Sequence, residues 1–190
     1  VHALADHAQA VQAPLQRMVH GLHPFVGHFV VPVFALANAG DGPFPFGLGF
    51  HPYFPRTATT TLDFEAEAYW ENDGTQLPIR RVAFPATWHR GLLDARRGET
   101  IDNVFAGWKG SAMLADPARP FDLELAADSA AGFLVVYAPA DRDFVAIEPV
   151  THMTDAFNRA KRGESGTGTR ILAAGAAFSC TMRIFVRARK

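Results

Sequence analysis

From Asp41 onward the sequence breaks into short apolar or alternating segments separated by Gly, Pro, Asn and Asp, with no comparable run of helical periodicity. Side chains of a pleated strand point alternately to its two faces, so a two-residue period bounded by turn formers marks β structure. The segments that read as strands are 46–51, 59–64, 68–71, 79–84, 104–108, 111–115, 121–125, 133–138, 144–148 and 177–187. Asn72-Asp73-Gly74 and Lys109-Gly110 read as hairpin turns, because these residues accept the positive φ of tight reversals. Many short strands without helices between them predict an all-β, antiparallel sandwich over residues 41–190 rather than a parallel α/β sheet.

The first forty residues follow a different pattern and are expected to form a separate N-terminal segment, helical or apolar. They open on mixed polar residues (Asp6, His7, Gln9, Gln12) and become apolar only at Leu22, which is poor order for a signal peptide. Residues 22–39 carry no formal charge and are interrupted by His23, Pro24, His28, Pro32 and Asn38. Two readings of this run stay open: a membrane span at the lower limit of length, or a pair of buried strands broken at Pro32. Any membrane contact is confined to it.

With 190 residues, 48% hydrophobic and 19% charged, the chain is long enough for one well-buried core. A formal net charge of −1 provides no long-range field to gather nucleic acid or anionic lipid and suits a neutral ligand. Cys180 is the only cysteine, so an internal disulfide or thiolate metal cluster is excluded and a reducing, cytoplasmic setting is allowed. Between Phe178 and Met182 it reads as core filler. The Gly163–Gly168 run lacks the Gly-Lys-Ser/Thr ending of a phosphate-binding loop, and Ser165 lacks the glycine two places on that a nucleophile elbow requires. It reads as a surface loop.

Chemistry concentrates in three places. In 46–51, alternation sends Phe46, Leu48 and Phe50 one way and Gly47, Gly49 and His51 the other. The two glycines leave room for a ligand to approach the backbone at Gly49, beside a histidine that titrates near neutrality. A structural histidine next to a close-packed neighbour fits the same pattern. In Phe144-Val145-Ala146-Ile147-Glu148-Pro149 a carboxylate sits in an apolar strand, where desolvation raises its pKa toward that of a general base, unless it simply reaches solvent at the strand end. Asp102-Asn103, among Ile101, Val104, Phe105 and Trp108, fits either a hydroxyl-binding carboxylate beside aromatic rings or a turn. His89, His152 and Asp155 show no metal-ligand spacing, and Trp70, Trp88 and Trp108 suit core packing better than stacking on a sugar.

Three segments, Gly47-Leu48-Gly49-Phe50-His51-Pro52-Tyr53-Phe54, then Ile101-Asp102-Asn103, then Ala146-Ile147-Glu148-Pro149 with Asp155-Ala156-Phe157-Asn158, resemble in order the C-terminal portion of the aldose 1-epimerase (galactose mutarotase) family, over about residues 41–187. The resemblance implies a large antiparallel β-sandwich whose concave face holds an aldose, with His51 as acid, Glu148 as base and Asp102 as a ligand of substrate hydroxyls. Such chemistry interconverts α and β anomers of a hexose without cofactor or metal. Complete members are longer, so an N-terminally truncated sandwich is expected, and the family's upstream arginine and second histidine have no counterpart; His20, His23 and His28 lack matching surroundings. Residues 14–40, from Pro14-Leu15-Gln16-Arg17 to Ala37-Asn38-Ala39-Gly40, resemble instead a segment of an NhaA-type sodium/proton antiporter. A non-catalytic carbohydrate-binding sandwich and a membrane-associated antiporter-derived fragment are the alternatives. Oligomeric state has no signature in the sequence.

Overall fold

A computed structural model describes residues 29–89 and 91–189. In chain order the strands are β1 (Phe29–Val30), β2 (Val33–Ala37), β3 (Phe44–Phe46), β4 (Tyr53–Pro55), β5 (Thr61–Phe64), β6 (Ala68–Asn72), β7 (Pro78–Ala83), β8 (Ile101–Ala106), β9 (Ser111–Ala115), β10 (Phe121–Ala127), β11 (Phe133–Ala138), β12 (Phe144–Val150), β13 (Arg170–Leu172) and β14 (Ala177–Ala188). Two short helices, α1 (Leu92–Ala95) and α2 (Ala156–Lys161), interrupt them. One sheet has the order β1-β14-β10-β9-β5, with β2 also on β14. The other runs β4-β12-β11-β8-β6-β7, and β3 pairs with β13 in a small separate ribbon. All pairings are antiparallel.

The two sheets meet through the inward halves of their alternating strands. Leu62, Phe64, Leu114, Leu123, Leu125 and Ile184 from the first sheet pack with Phe54, Phe105, Leu134, Val136, Val145 and Ile147 from the second. Burying these side chains is the main driving force for assembly. Asn103 is also buried, and its amide donates to the Trp70 carbonyl at 2.9 Å, which offsets the cost of burying it. The expected sandwich is therefore present, and among the described residues no helix is long and apolar enough to cross a membrane.

Over Phe29–Ala37 the apolar run is a strand pair broken at Pro32, as one reading had it, but not a buried one: Val31, Val33 and Phe34 are exposed. β1 and β2 lie on the same side of β14 in one register, from Phe29↔Phe185 to Ala37↔Ala177. Pro32 has no N–H to donate, yet its carbonyl still accepts from the Met182 N–H at 3.1 Å. Among the described residues, Phe29–Val30 and Val33–Ala37 thus pair within the sheet that holds β14. The helical or apolar leader expected over residues 1–28 lies outside the described residues.

Three local expectations need correction. Lys109-Gly110 does not close a hairpin: it carries the chain from β8 in one sheet to β9 in the other, with positive φ at Gly107 and Gly110 (65° and 84°). Asn72-Asp73-Gly74 does begin the β6–β7 hairpin, but the positive φ falls on Gln76 (64°), while the Asp73 carboxylate accepts from the N–H groups of Thr75 and Leu77. Residues 46–51 are not one strand. β3 ends at Phe46, a single bridge joins Gly49 to Val150, and β4 starts after Pro52.

The crossing from β4 to β5 joins the two sheets, and Asp116 pins it. Its carboxylate accepts from the hydroxyls of Thr57, Thr59 and Thr60 and from the Ala118 N–H. Burial pushes the Asp116 carboxyl up, but these four donors outweigh it and hold the pKa down to about 2. Since the folded pKa lies below the ordinary value, this stabilisation is present above pH 3.8 and is lost as pH falls toward 2. Asp116→Ala is expected to cost about 3 kcal/mol in urea unfolding at pH 7, with the difference from the parent shrinking below pH 3.

Candidate active site

The site follows from the alternation of β12. Val145 and Ile147 enter the core, so Ala146 and Glu148 must face the other side of the sheet. Register with β11 sets Glu148 opposite Val135, and register with β8 sets Val135 opposite Val104. Two residues along, a second row runs Tyr53–Ala146–Tyr137–Asp102 across four strands. Glu148 and Asp102, some forty-six positions apart in sequence, therefore share one face.

His51 reaches that face from the segment preceding β4. The Phe50 N–H donates to the Pro149 carbonyl (3.0 Å) and the Thr151 N–H to the Leu48 carbonyl (2.8 Å), clamping 48–50 along the edge of β12. His51 Nε2 then lies 3.2 Å from Glu148 Oε1. The glutamate side chain is only 12% exposed, the histidine 52%. The imidazole stacks on Tyr53 with centroids 4.7 Å apart and planes 14° apart, and the Tyr53 hydroxyl is 3.4 Å from Nε2. Phe144 meets Tyr53 edge-on at 5.3 Å. The Asn72 amide donates to the Asp102 carbonyl and steadies the far end.

The electrostatics of this face are unusual. Burial, with the nearby Asp102 charge adding to it, pushes Glu148 up to about 7. Burial also raises Asp102, opposed by His51. His51 is lowered by burial, against a backbone hydrogen bond and the pull of Asp102. Tyr53 is raised by burial, by Glu148 and by Tyr137, which keeps its hydroxyl protonated. A buried base near neutrality beside a histidine is an arrangement suited to proton transfer.

The remaining candidates are engaged elsewhere. A Cβ at Gly47 would stand 2.2 Å from His152 Nδ1, and one at Gly49 would stand 2.8 Å from Val150 Cγ1. The room expected over these glycines is thus filled by protein: they are small so that His152 and Val150 can close on the edge. His152 stacks on Phe157 at 5.3 Å. Asp155 takes positive φ (59°) at the start of α2 and accepts from Asn158 (2.6 Å) and Arg162 (3.2 Å). His89 lies edge-on to Phe84. Among the described residues no three His, Cys, Asp or Glu side chains are placed to hold a metal ion. Trp108 is buried with its N–H on the Ser111 carbonyl, and Trp88 packs on Tyr69. Trp70 is on the site face, opposite Arg81 and covered by the Arg159 guanidinium 4.5 Å from its ring centroid. Tyr53, Tyr137 and Asn72 are the site residues that sequence reasoning missed. For Tyr53 a signal existed, since it is two residues from His51 in an extended segment and so shares its face.

A two-sheet antiparallel sandwich with a histidine against a buried glutamate on one open sheet face is the class of protein that fold and site define. The aldose 1-epimerase family model matches residues 34–184, and the chain belongs to that family. It is 28% identical over 150 residues to the uncharacterized protein YphB of Escherichia coli K12, covering 68% of this chain and 48% of YphB. The fold is similar to that of a candidate aldose 1-epimerase from Escherichia coli K12 (TM-score 0.72, 24% identity, 85% of this chain and 57% of that one). It is also similar to a galactose mutarotase-like protein from Clostridium acetobutylicum (TM-score 0.69, 16% identity, 84% and 52%). The chain thus spans about half the length of these relatives. A stretch of 40 residues is 52% identical to the Na(+)/H(+) antiporter NhaA of Wolinella succinogenes, covering 21% of this chain and 9% of the antiporter.

Because the Asp102 charge adds to burial in raising Glu148, Asp102→Asn is expected to lower the Glu148 midpoint from about 7 while burial keeps it above the ordinary 4.5. Carboxyl-carbon NMR titration of both proteins checks this without requiring turnover. An unchanged midpoint would show that the two carboxyls do not sense each other.

Proposed function

We propose that this face opens and recloses the ring of an aldose, interconverting its α and β anomers, with Glu148 as base and His51 as acid. The observation that carries the reading is the 3.2 Å contact between His51 Nε2 and a buried Glu148 whose pKa is raised to about 7. Glu148 takes the proton from the anomeric hydroxyl while His51 protonates the ring oxygen, and the C–O ring bond breaks to leave an aldehyde. Rotation next to the carbonyl presents its other face, and reclosure with the proton roles reversed gives the other anomer. Protons balance within the pair. Asp102, one row along from Glu148 on the same face, receives the sugar's hydroxyl groups; Gly49, shut in by Val150, contributes backbone only. The substrate is a neutral hexose, and with Cys180 a free, buried thiol the proposal includes a cytoplasmic setting.

The pair is competent when it carries one proton. With two, Glu148 cannot accept; with none, His51 cannot donate. The limits are the lowered His51 titration on the acid side and the Glu148 value of about 7 on the alkaline side. A bell-shaped dependence of kcat/KM on pH is therefore expected, peaking just below neutrality.

Polarimetry or exchange NMR on glucose and galactose tests the reading. His51→Ala and Glu148→Ala are each expected to slow anomerisation at least about 100-fold, to the spontaneous rate. If the parent gives only the spontaneous rate, catalysis by this chain is excluded. Saturable sugar binding in that case would leave a carbohydrate-binding face without chemistry.

A further inference from the structure

We infer that Tyr53 is a positioning residue for His51, holding the imidazole against Glu148 by stacking on one of its faces. This rests on the acid–base reading above and adds a group that reading does not use. Three observations lead to it. His51 lies outside any strand, in the step between the Gly49 bridge and β4, and half of its side chain is exposed, so backbone pairing alone leaves its ring free to turn toward solvent. Tyr53 supplies the missing constraint: its ring lies parallel to the imidazole at 4.7 Å, with its hydroxyl 3.4 Å from the same Nε2 that meets Glu148. Tyr53 is itself fixed, by pairing with Ala146 on β12 and by the edge of Phe144 at 5.3 Å. The stack thus ties the acid to the strand that carries the base.

The hydroxyl has a part in the cycle as well. When the base turns to a sugar hydroxyl, Nε2 loses the Glu148 contact, and after it has given up its proton its lone pair accepts from the Tyr53 O–H. No net proton is gained or lost by Tyr53. The titratable groups shown to act on His51 are Glu148 on β12, Asp102 on β8 and Tyr53 on β4, with Tyr137 on β11 acting on Tyr53; of these, Tyr53 covers a face of the ring.

Covering that face keeps water from the imidazole and contributes to its lowered pKa. Tyr53→Leu is therefore expected to move the His51 midpoint, followed by ring-proton NMR, up toward 6.5 and to move the acid limb of kcat/KM with it. The value of kcat is expected to fall about tenfold or more with little change in KM. Tyr53→Phe keeps the stack and is expected to follow the parent titration, with a smaller loss of kcat from the missing hydroxyl. Tyr53→Thr, better suited to a strand, replaces the leucine variant if that one does not fold. A His51 midpoint identical in the parent and in Tyr53→Leu or Tyr53→Thr overturns the inference, whatever the activity. A shifted midpoint in a chain without turnover upholds the positioning and overturns the proposed reaction instead.

Discussion

The candidate site depends on the antiparallel pairing of β12. That strand pairs with β11 on one side and with β4 and the clamped segment 48–50 on the other, so both sides of its backbone are committed. Val145 and Ile147 are fully inside the core, and a slip of one residue would move both to the outer face and drive Glu148 among Phe54, Leu134 and Val136. An unpaired carboxylate in that core would be far more costly than one on a half-open face. The same apolar contacts that stabilise the sandwich therefore fix which way Glu148 points. His51 enters by the same route, because the hydrogen bonds that bring it forward are made to Pro149 and Thr151, on either side of Val150.

Placing Glu148 in this way has an energetic cost, and the surroundings show how it is met. Its carboxyl is relieved by no cation among the contacts described; its neighbours are an imidazole with a lowered pKa, a phenol with a raised one and a second carboxyl. With Glu148 raised to about 7 and His51 lowered, the pair carries a single proton just below neutrality rather than standing as two separated full charges. Asp116 makes the contrast. It too is a carboxyl shielded from solvent, but four donors converge on it and its pKa falls to about 2. One carboxylate is tied down by hydrogen bonds and holds the fold; the other is left short of them and is available for proton transfer.

Much of this was legible in the sequence because it is carried by residue type and short-range alternation. A glutamate inside Val-Ala-Ile-Glu-Pro has few inexpensive places to go, and the strands at Ser111–Ala115 and Phe133–Ala138 lie where their pattern puts them. What long-range pairing decides was not legible. Lys109-Gly110 carries ordinary turn residues, and only the partners of β8 and β9 reveal that it changes sheets. Tyr137 carries no signal of its own in the sequence; it is register that sets it opposite Asp102. Gly47 and Gly49 signal a close approach, but their sequence does not say whether a ligand or a side chain makes it; His152 and Val150 do.

The segment Val33–Ala37 shows the same dependence on context from the other direction. Its residues belong to a stretch that resembles a segment of an NhaA-type antiporter, and Ala35, Leu36 and Ala37 are at ease in a helix. Here five consecutive residues pair in order with Thr181 to Ala177 of β14, and Phe34 stacks on Phe50 at 4.9 Å. Strand propensity is largely the fit of a side chain to its pleated neighbours, so an offered edge on β14 and an aromatic partner on the segment leading to His51 outweigh the helical preference of three residues. Pro32 makes the choice easier still. It breaks a helix where it stands, whereas beside β14 it forfeits one donor and keeps its acceptor on the Met182 N–H. A sequence that fits two architectures is resolved by the partner that is present, and in this chain the partner is the sheet behind the site.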